Sequence, residues 1–275
     1  TAIGGASSIL NAGNQTTAYV KITGGKVYAE SLGGCGIGAG NSVNTTAGSA
    51  SVTISGGEVT AKSVGKTVTF ESGGEPFTVK PGVSIGGGSG GINGNGGSAT
   101  INISGGTIKT GSIGGGSTRS TSGHNIGYAD ITISGGDVNG QFIMVKGGTS
   151  ACKFNMTGGT VHDSDTSDIE FVRLQENGGA VYMDDPSGIA TISGGTIESC
   201  SALNGGAIYM TAGQFVLSDT GQIKNCSALN LGGAIFLGQT GANKGTFTMN
   251  GGSISNNKAP NGDGGALYLD GGNAT

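Results

Sequence analysis

"ATINISGGTI", residues 99–108, decides the fold. Ile101 and Ile103 fall on one face of an extended chain, and Thr100, Asn102 and Ser104 fall on the other. A period of two is the mark of a strand with one buried face. Two glycines follow, and then Ile108 restores an apolar position. The path is strand, corner, strand. Glycine suits the corner because it accepts a positive φ without steric cost.

The phrase recurs along the chain. Glycine pairs stand at Gly24 and Gly25, Gly56 and Gly57, Gly105 and Gly106, Gly135 and Gly136, Gly158 and Gly159, Gly194 and Gly195, and Gly251 and Gly252. A degenerate unit, "LSDTGQI" at 217–223, has lost one glycine and gained one residue. Alternating apolar pairs precede the corners, as at Val52 and Ile54, Ile131 and Ile133, Phe154 and Met156, and Phe247 and Met249. One apolar residue follows each corner: Val27, Val59, Ile108, Val138, Val161, Ile197, Ile223 and Ile254. Successive first glycines are 32, 49, 30, 23 and 36 residues apart, the scale of a solenoid.

A strand pair with one apolar face cannot bury it alone. Stacked corners turn each apolar position into a continuous ladder, with coils about 4.8 Å apart. The coil lengths vary too widely for a strict hexapeptide repeat of the left-handed kind. The expectation is an all-β, right-handed parallel β-helix of about eight to ten coils, a rod of roughly 40–50 Å. The long second step holds "KTVTFESGGEPFTVK", read as a β-hairpin inserted near 66–80.

Composition supports order. The 61 glycines are roughly threefold the usual share. There is no Gly-X-Y period and there are only 4 prolines, which excludes collagen. Hydrophobic residues reach 34% and are periodic, which argues against disorder. With a net charge of −4 and no basic cluster, no nucleic-acid partner is expected. No apolar run is long enough to span a bilayer. The chain starts at Thr1 and stops in "GGNAT", which reads as the opening of another repeat, so a fragment of a longer chain is expected.

A second phrase marks the later half: "NGGAVYM" (177–183), "NGGAIYM" (204–210), "LGGAIFL" (231–237) and "DGGALYL" (263–269). Stacking these places Tyr182, Tyr209, Phe236 and Tyr268 in an aromatic ladder, read first as structural and second as a sugar-stacking platform. Asn225 and Asn256 fall at equivalent places, where stacked amides could hydrogen-bond along the axis. In the early half, "SLGGCGIGAGN" and two copies of "SIGGGS" take the place of the GGA phrase. One solenoid over 1–275 is expected, with Gly-rich irregular coils in 1–150 and GGA-repeat coils in 151–275. Cys200 and Cys226 hold equivalent positions in "ESCSALN" and "KNCSALN". They read as two buried thiols in a column or as a disulfide.

The later half resembles the bacterial surface repeats of the polymorphic membrane protein and adhesin type. There GGA[ILV] alternates with an Asn-bearing FxxN-like element on a right-handed β-helix. "GGAIYM", "GGAIFL", "ISNNKA" and "GTFTMNGGSI" carry the resemblance. Ile223 and Ile254 stand where the element has Phe, and Cys226 and Asn257 share the next ladder position. The early half is similar to the Gly-rich "ISGGTI…IGGG" repeats of large secreted proteins of gut-type bacteria. The resemblance implies an adhesin stalk or host-contact surface on the cell exterior.

The β-helix also hosts glycan lyases and hydrolases. The acid-rich stretch "HDSDTSDIEFVRLQENGGAVYMDDPSG" (162–188) is the place to test for one. Asp184, Asp185 and Arg173 would have to converge in a groove, since two neighbouring carboxylates can divide acid and base roles. Asp163, Asp165 and Asp168 offer alternating oxygens for calcium, the one candidate cofactor, without the glycine and terminal Glu of an EF-hand. His124 and His162 lie in no metal-binding spacing. A lattice-binding face would need unbroken outward threonines, and Asn102, Asn155 and Val216 interrupt them. The expected function is a non-enzymatic structural and adhesive rod of an extracellular bacterial surface protein or fibre. Its partner would be a host or glycan ligand, with self-association into filaments. The alternative is a polysaccharide-binding or polysaccharide-degrading β-helix protein.

Overall fold

The computed structural model describes residues 3–4, 17–32, 34–42, 45–64, 66–68, 77–79, 82–90, 94–117, 126–145, 150–162 and 176–275, with backbone alone at 66–68 and 77–79. The described residues form no helix. Among the described residues eight coils stack, each with three sides, between partial rungs at Ile3–Gly4 and Asn273–Ala274. All pairing along the axis is parallel. The architecture is the parallel β-helix that the repeats predict.

The first side carries the alternating pair. One inward column runs Val20, Val52, Ile101, Ile131, Phe154, Ala190, Phe215, Phe247, Ala274, each residue paired with the next. Beside it run Ile22, Ile54, Ile103, Ile133, Met156, Ile192, Leu217 and Met249. Ile54, Ile103, Ile133 and Ile192 are no more than 1% exposed. The second side stacks Val27, Val59, Ile108, Val138, Val161, Ile197, Ile223 and Ile254. These columns make one core and run unbroken past residue 150. Each fully buried Ile or Phe contributes about 1.5–3 kcal/mol, which is why the ladder dominates the fold.

The third side unites the two phrases that look different in sequence. Ile3, Ile37, Ile85 and Ile113 of the Gly-rich coils lead through Phe142 to Val181, Ile208, Ile235 and Leu267 of the GGA coils. Gln141 sits at the junction, buried, and its Nε2 donates to Asn177 O at 2.9 Å and Gly178 O at 2.7 Å. It thereby gives partners to two carbonyls where one style of corner meets the other.

At the corners the two glycines answer different demands. The second glycine has φ of +79° at Gly25, +91° at Gly57, +90° at Gly106, +92° at Gly136, +82° at Gly159, +78° at Gly195 and +76° at Gly252. The first does not. A Cβ on Gly105 would instead lie 2.6 Å from Ser55 O, and one on Gly158 2.5 Å from Ser134 O, both on the coil below. In the degenerate unit Asp219 takes a left-handed conformation, φ +50°, and Gly221 N closes a turn onto Ser218 O at 3.1 Å.

The chain leaves the rod at two kinds of corner. Between second and third sides, Lys66–Val68 pairs antiparallel with Phe77–Val79, the inserted hairpin that the sequence predicts. Between third and first sides, where the sequence predicts Gly-rich irregular coils, coils 1 to 3 build a hydrogen-bonded glycine layer. Gly48 N donates to Gly40 O, Gly88 N to Gly48 O, Gly97 N to Gly88 O, Gly116 N to Gly97 O and Gly127 N to Gly116 O, all at 2.8–3.1 Å. A Cβ on Gly97 would collide with Gly48 O, and one on Gly116 with Gly88 O. Gly88, Gly97, Gly116 and Gly127 therefore have no room for a Cβ. A recurrent signal was available: Gly48, Gly97 and Gly127 each stand two residues before an alanine that opens a first side, at Ala50, Ala99 and Ala129.

Candidate functional site

The outward face of the third side holds the aromatic ladder. Its column reads Gly38, Gly86, Gly114, Ile143, Tyr182, Tyr209, Phe236, Tyr268, changing from glycine to aromatic at Ile143. Period-two alternation puts Tyr182 between inward Val181 and Met183 and so turns its ring outward. Ring centroids are 5.4 Å apart for Tyr182 and Tyr209, 4.7 Å for Tyr209 and Phe236, and 5.7 Å for Phe236 and Tyr268. Interplanar angles of 10°, 10° and 22° make the rings a stack. Near-parallel rings at these separations stack with an offset, so each ring face is turned toward its neighbours along the axis. The tyrosines are half-buried, and Phe236 is 6% exposed. Burial pushes the Tyr182 phenol up to about 12, with Asp184 adding to the shift, and raises Tyr209 in the same way.

A short hairpin runs beside the ladder. Gln239–Thr240 pairs antiparallel with Asn243 and Lys244. Thr240 reaches two coils down, its Oγ1 donating to Asp184 Oδ1 at 3.1 Å, which also accepts from Thr211 Oγ1 at 2.9 Å. The Gln239 side chain lies against Gly271 of the coil above. Asp184 thus anchors a strap along the rod axis.

Asp185, the next residue, points the other way. It is fully buried; Oδ2 accepts from Cys152 N at 2.7 Å and Oδ1 from Ser187 N at 3.0 Å. It caps a corner of the neighbouring coil. The two carboxylates diverge, and an acid–base pair between them has no geometric basis. Arg173 and the calcium candidates Asp163, Asp165 and Asp168 lie outside the described residues, as does His124. His162 Nε2 contacts Asp137 Oδ1 at 2.9 Å on the outer second side. Among the described residues, no group of three or more His, Cys, Asp or Glu is arranged to hold a metal ion.

Asn225 and Asn256 share a backbone conformation, φ +57° and +55°, with Ser199 at +55° on the coil below. Asparagine tolerates this left-handed region better than most residues. The amide ladder forms elsewhere, in the GGA phrase: Asn177 Oδ1 accepts from Asn204 N at 3.1 Å and Asn204 Nδ2 at 3.0 Å. Leu231 holds the next rung, and Asn204 Oδ1 is buried without a partner. Asn257 Oδ1 accepts from Cys226 N at 2.8 Å and its Nδ2 donates to Ile223 O at 3.2 Å.

The outward first side stacks Lys21, Thr53, Asn102, Thr132, Asn155, Thr191, Val216 and Thr248, in which threonine is interrupted as the sequence predicts. All four cysteines are buried free thiols. Among the described residues no helix is long and apolar enough to cross a membrane. No family model, curated protein or solved structure matches the chain.

Proposed function

We propose that this chain is a non-enzymatic structural and adhesive rod of an extracellular bacterial surface protein or fibre. Its work is geometric. A stiff stack carries corner loops, or domains beyond it, away from the cell towards a host or glycan ligand. The observation that supports this reading is the unbroken run of inward columns, which gives a continuous stacked core along the described coils. The divergence of Asp184 and Asp185 points the same way. Self-association into filaments, by the same parallel pairing that stacks the coils, belongs to this reading.

A second reading, polysaccharide binding, draws on the half-exposed edges of Tyr182, Tyr209 and Tyr268 on the outer third side. A glycan array, run with electron microscopy and concentration-dependent light scattering, tests both. Binding without cleavage, together with rods or fibres, is the expected result. Depolymerisation of a polysaccharide by the purified chain overturns the non-enzymatic reading. A strict monomer that binds no glycan and no host cell overturns the adhesive one.

A further inference from the structure

We propose that Cys200 and Cys226 are an oxidisable pair that closes into a disulfide between coils 6 and 7. The two residues occupy successive rungs of one column: Ser201 pairs with Ser227, and Ser227 N donates to Cys200 O at 2.9 Å. Parallel rungs rise about 4.8 Å, inside the roughly 4.4–6.8 Å Cα separation that a disulfide spans. Cys200 Sγ lies 3.5 Å from Glu198 O and 4.0 Å from Val161 O, and Cys226 Sγ 3.3 Å from Lys224 O; these S–H···O contacts, which closure gives up, are weak. Cys35 and Cys152 have no cysteine on an adjacent rung among the described residues.

The thiols also differ in readiness. Burial pushes Cys35 and Cys152 up to about 12, where the thiolate is scarce. At Cys226 the hydrogen bond from the Cys200 thiol favours the thiolate and outweighs burial. The thiolate is the attacking species in exchange.

The oxidant is a small-molecule disulfide. The Cys226 thiolate attacks one of its sulfurs, forming a mixed disulfide and releasing one thiol. Cys200 then loses its proton, attacks the Cys226 sulfur and displaces the second thiol. Two S–H bonds are lost and one S–S bond forms; the oxidant takes up both electrons and both protons. Cys200 and Cys226 are 1% and 0% exposed, so attack requires local opening of the corner. The exposed left-handed residues Ser199 and Asn225, each one position earlier, mark where that opening starts.

The test incubates the whole chain with oxidised glutathione, with and without mild urea, then alkylates under denaturing conditions and maps peptides by mass spectrometry. The expected product is a Cys200–Cys226 cross-linked peptide, formed faster in urea, with Cys35 and Cys152 alkylated. The cross-linked region should gain resistance to proteolysis, and Cys200→Ser and Cys226→Ser should each abolish the product. Alkylation of all four thiols after prolonged oxidation in mild urea overturns the proposal. So does a cross-link that engages Cys35 or Cys152 as readily.

Discussion

Alanine substitution at four corner glycines separates the two reasons for the glycine pair. Gly24 has no positive φ, and a Cβ there meets no described atom within 4 Å. Gly25 has φ +79°, and a Cβ there likewise meets no described atom within 4 Å. Gly105 lacks the positive φ, but its Cβ would stand 2.6 Å from Ser55 O. Gly159 combines φ +82° with a Cβ 2.8 Å from Gly135 C and Gly136 O. Gly24→Ala should stabilise slightly, by about 0.4–1 kcal/mol, because it narrows the unfolded ensemble. Gly25→Ala meets a left-handed penalty of about 1–2 kcal/mol. Gly105→Ala must push two hydrogen-bonded coils apart by several tenths of an ångström, an overpacking cost of about 1–3 kcal/mol. In Gly159→Ala both costs act on one residue, for a loss of roughly 2–5 kcal/mol. A stacked array can open coil by coil. Native-state hydrogen exchange at amides beside each corner is therefore the assay, with urea unfolding followed by circular dichroism as a global check. The predicted order of loss is Gly24, Gly25, Gly105, Gly159. If Gly105→Ala costs no more than Gly24→Ala, close approach between coils is not what demands the first glycine, and the argument for the corner fails.

Other perturbations act at single contacts. Asn177→Ala removes the acceptor for two Asn204 donors and should lower stability by about 1–3 kcal/mol in urea unfolding, whereas Leu231→Asn should give buried Asn204 Oδ1 a donor and tighten exchange at that corner. Gln141→Ala strips two carbonyls of their partner and should cost about 1–3 kcal/mol, with the loss centred where the two halves meet. Tyr209→Leu breaks two ring stacks, each worth about 0.5–1.5 kcal/mol beyond burial; an unchanged unfolding midpoint would count against a structural ladder. Tyr182 ionises at about 12 in the fold and near 10 when unfolded. Its contribution is thus present in full below pH 10 and lost as pH rises from about 10 to 12, so phenolate absorbance and unfolding should move together there.

Much of the fold was legible because its signals are local. Ile101 and Ile103 alternate within five residues, Gly105 and Gly106 mark the corner, and Ile108 shows that the apolar side resumes. Stacking copies of that unit required no further information. The ring ladder followed from the same logic, since identical phrases in register must put Tyr209 over Tyr182. The antiparallel pairing of 66–68 with 77–79 was readable from two alternating runs around Ser72, Gly73 and Gly74.

What the tertiary structure alone decided depends on segments that meet from different coils. Asp184 and Asp185 look like a pair in sequence, yet one binds Thr211 and Thr240 outside while the other caps Cys152 N inside. The amide ladder formed at Asn177 and Asn204 rather than at Asn225 and Asn256, which stand at a corner in left-handed backbone. The spacing of Gly48, Gly97 and Gly127 before an alanine is visible in sequence, but which glycine bonds which is decided only when Gly48, Gly88 and Gly97 lie side by side. Local alternation and turn chemistry set which residues face inward. Which carbonyl, thiol or carboxylate each one meets is set by the stacking offset, and that offset depends on corner lengths that no single repeat contains.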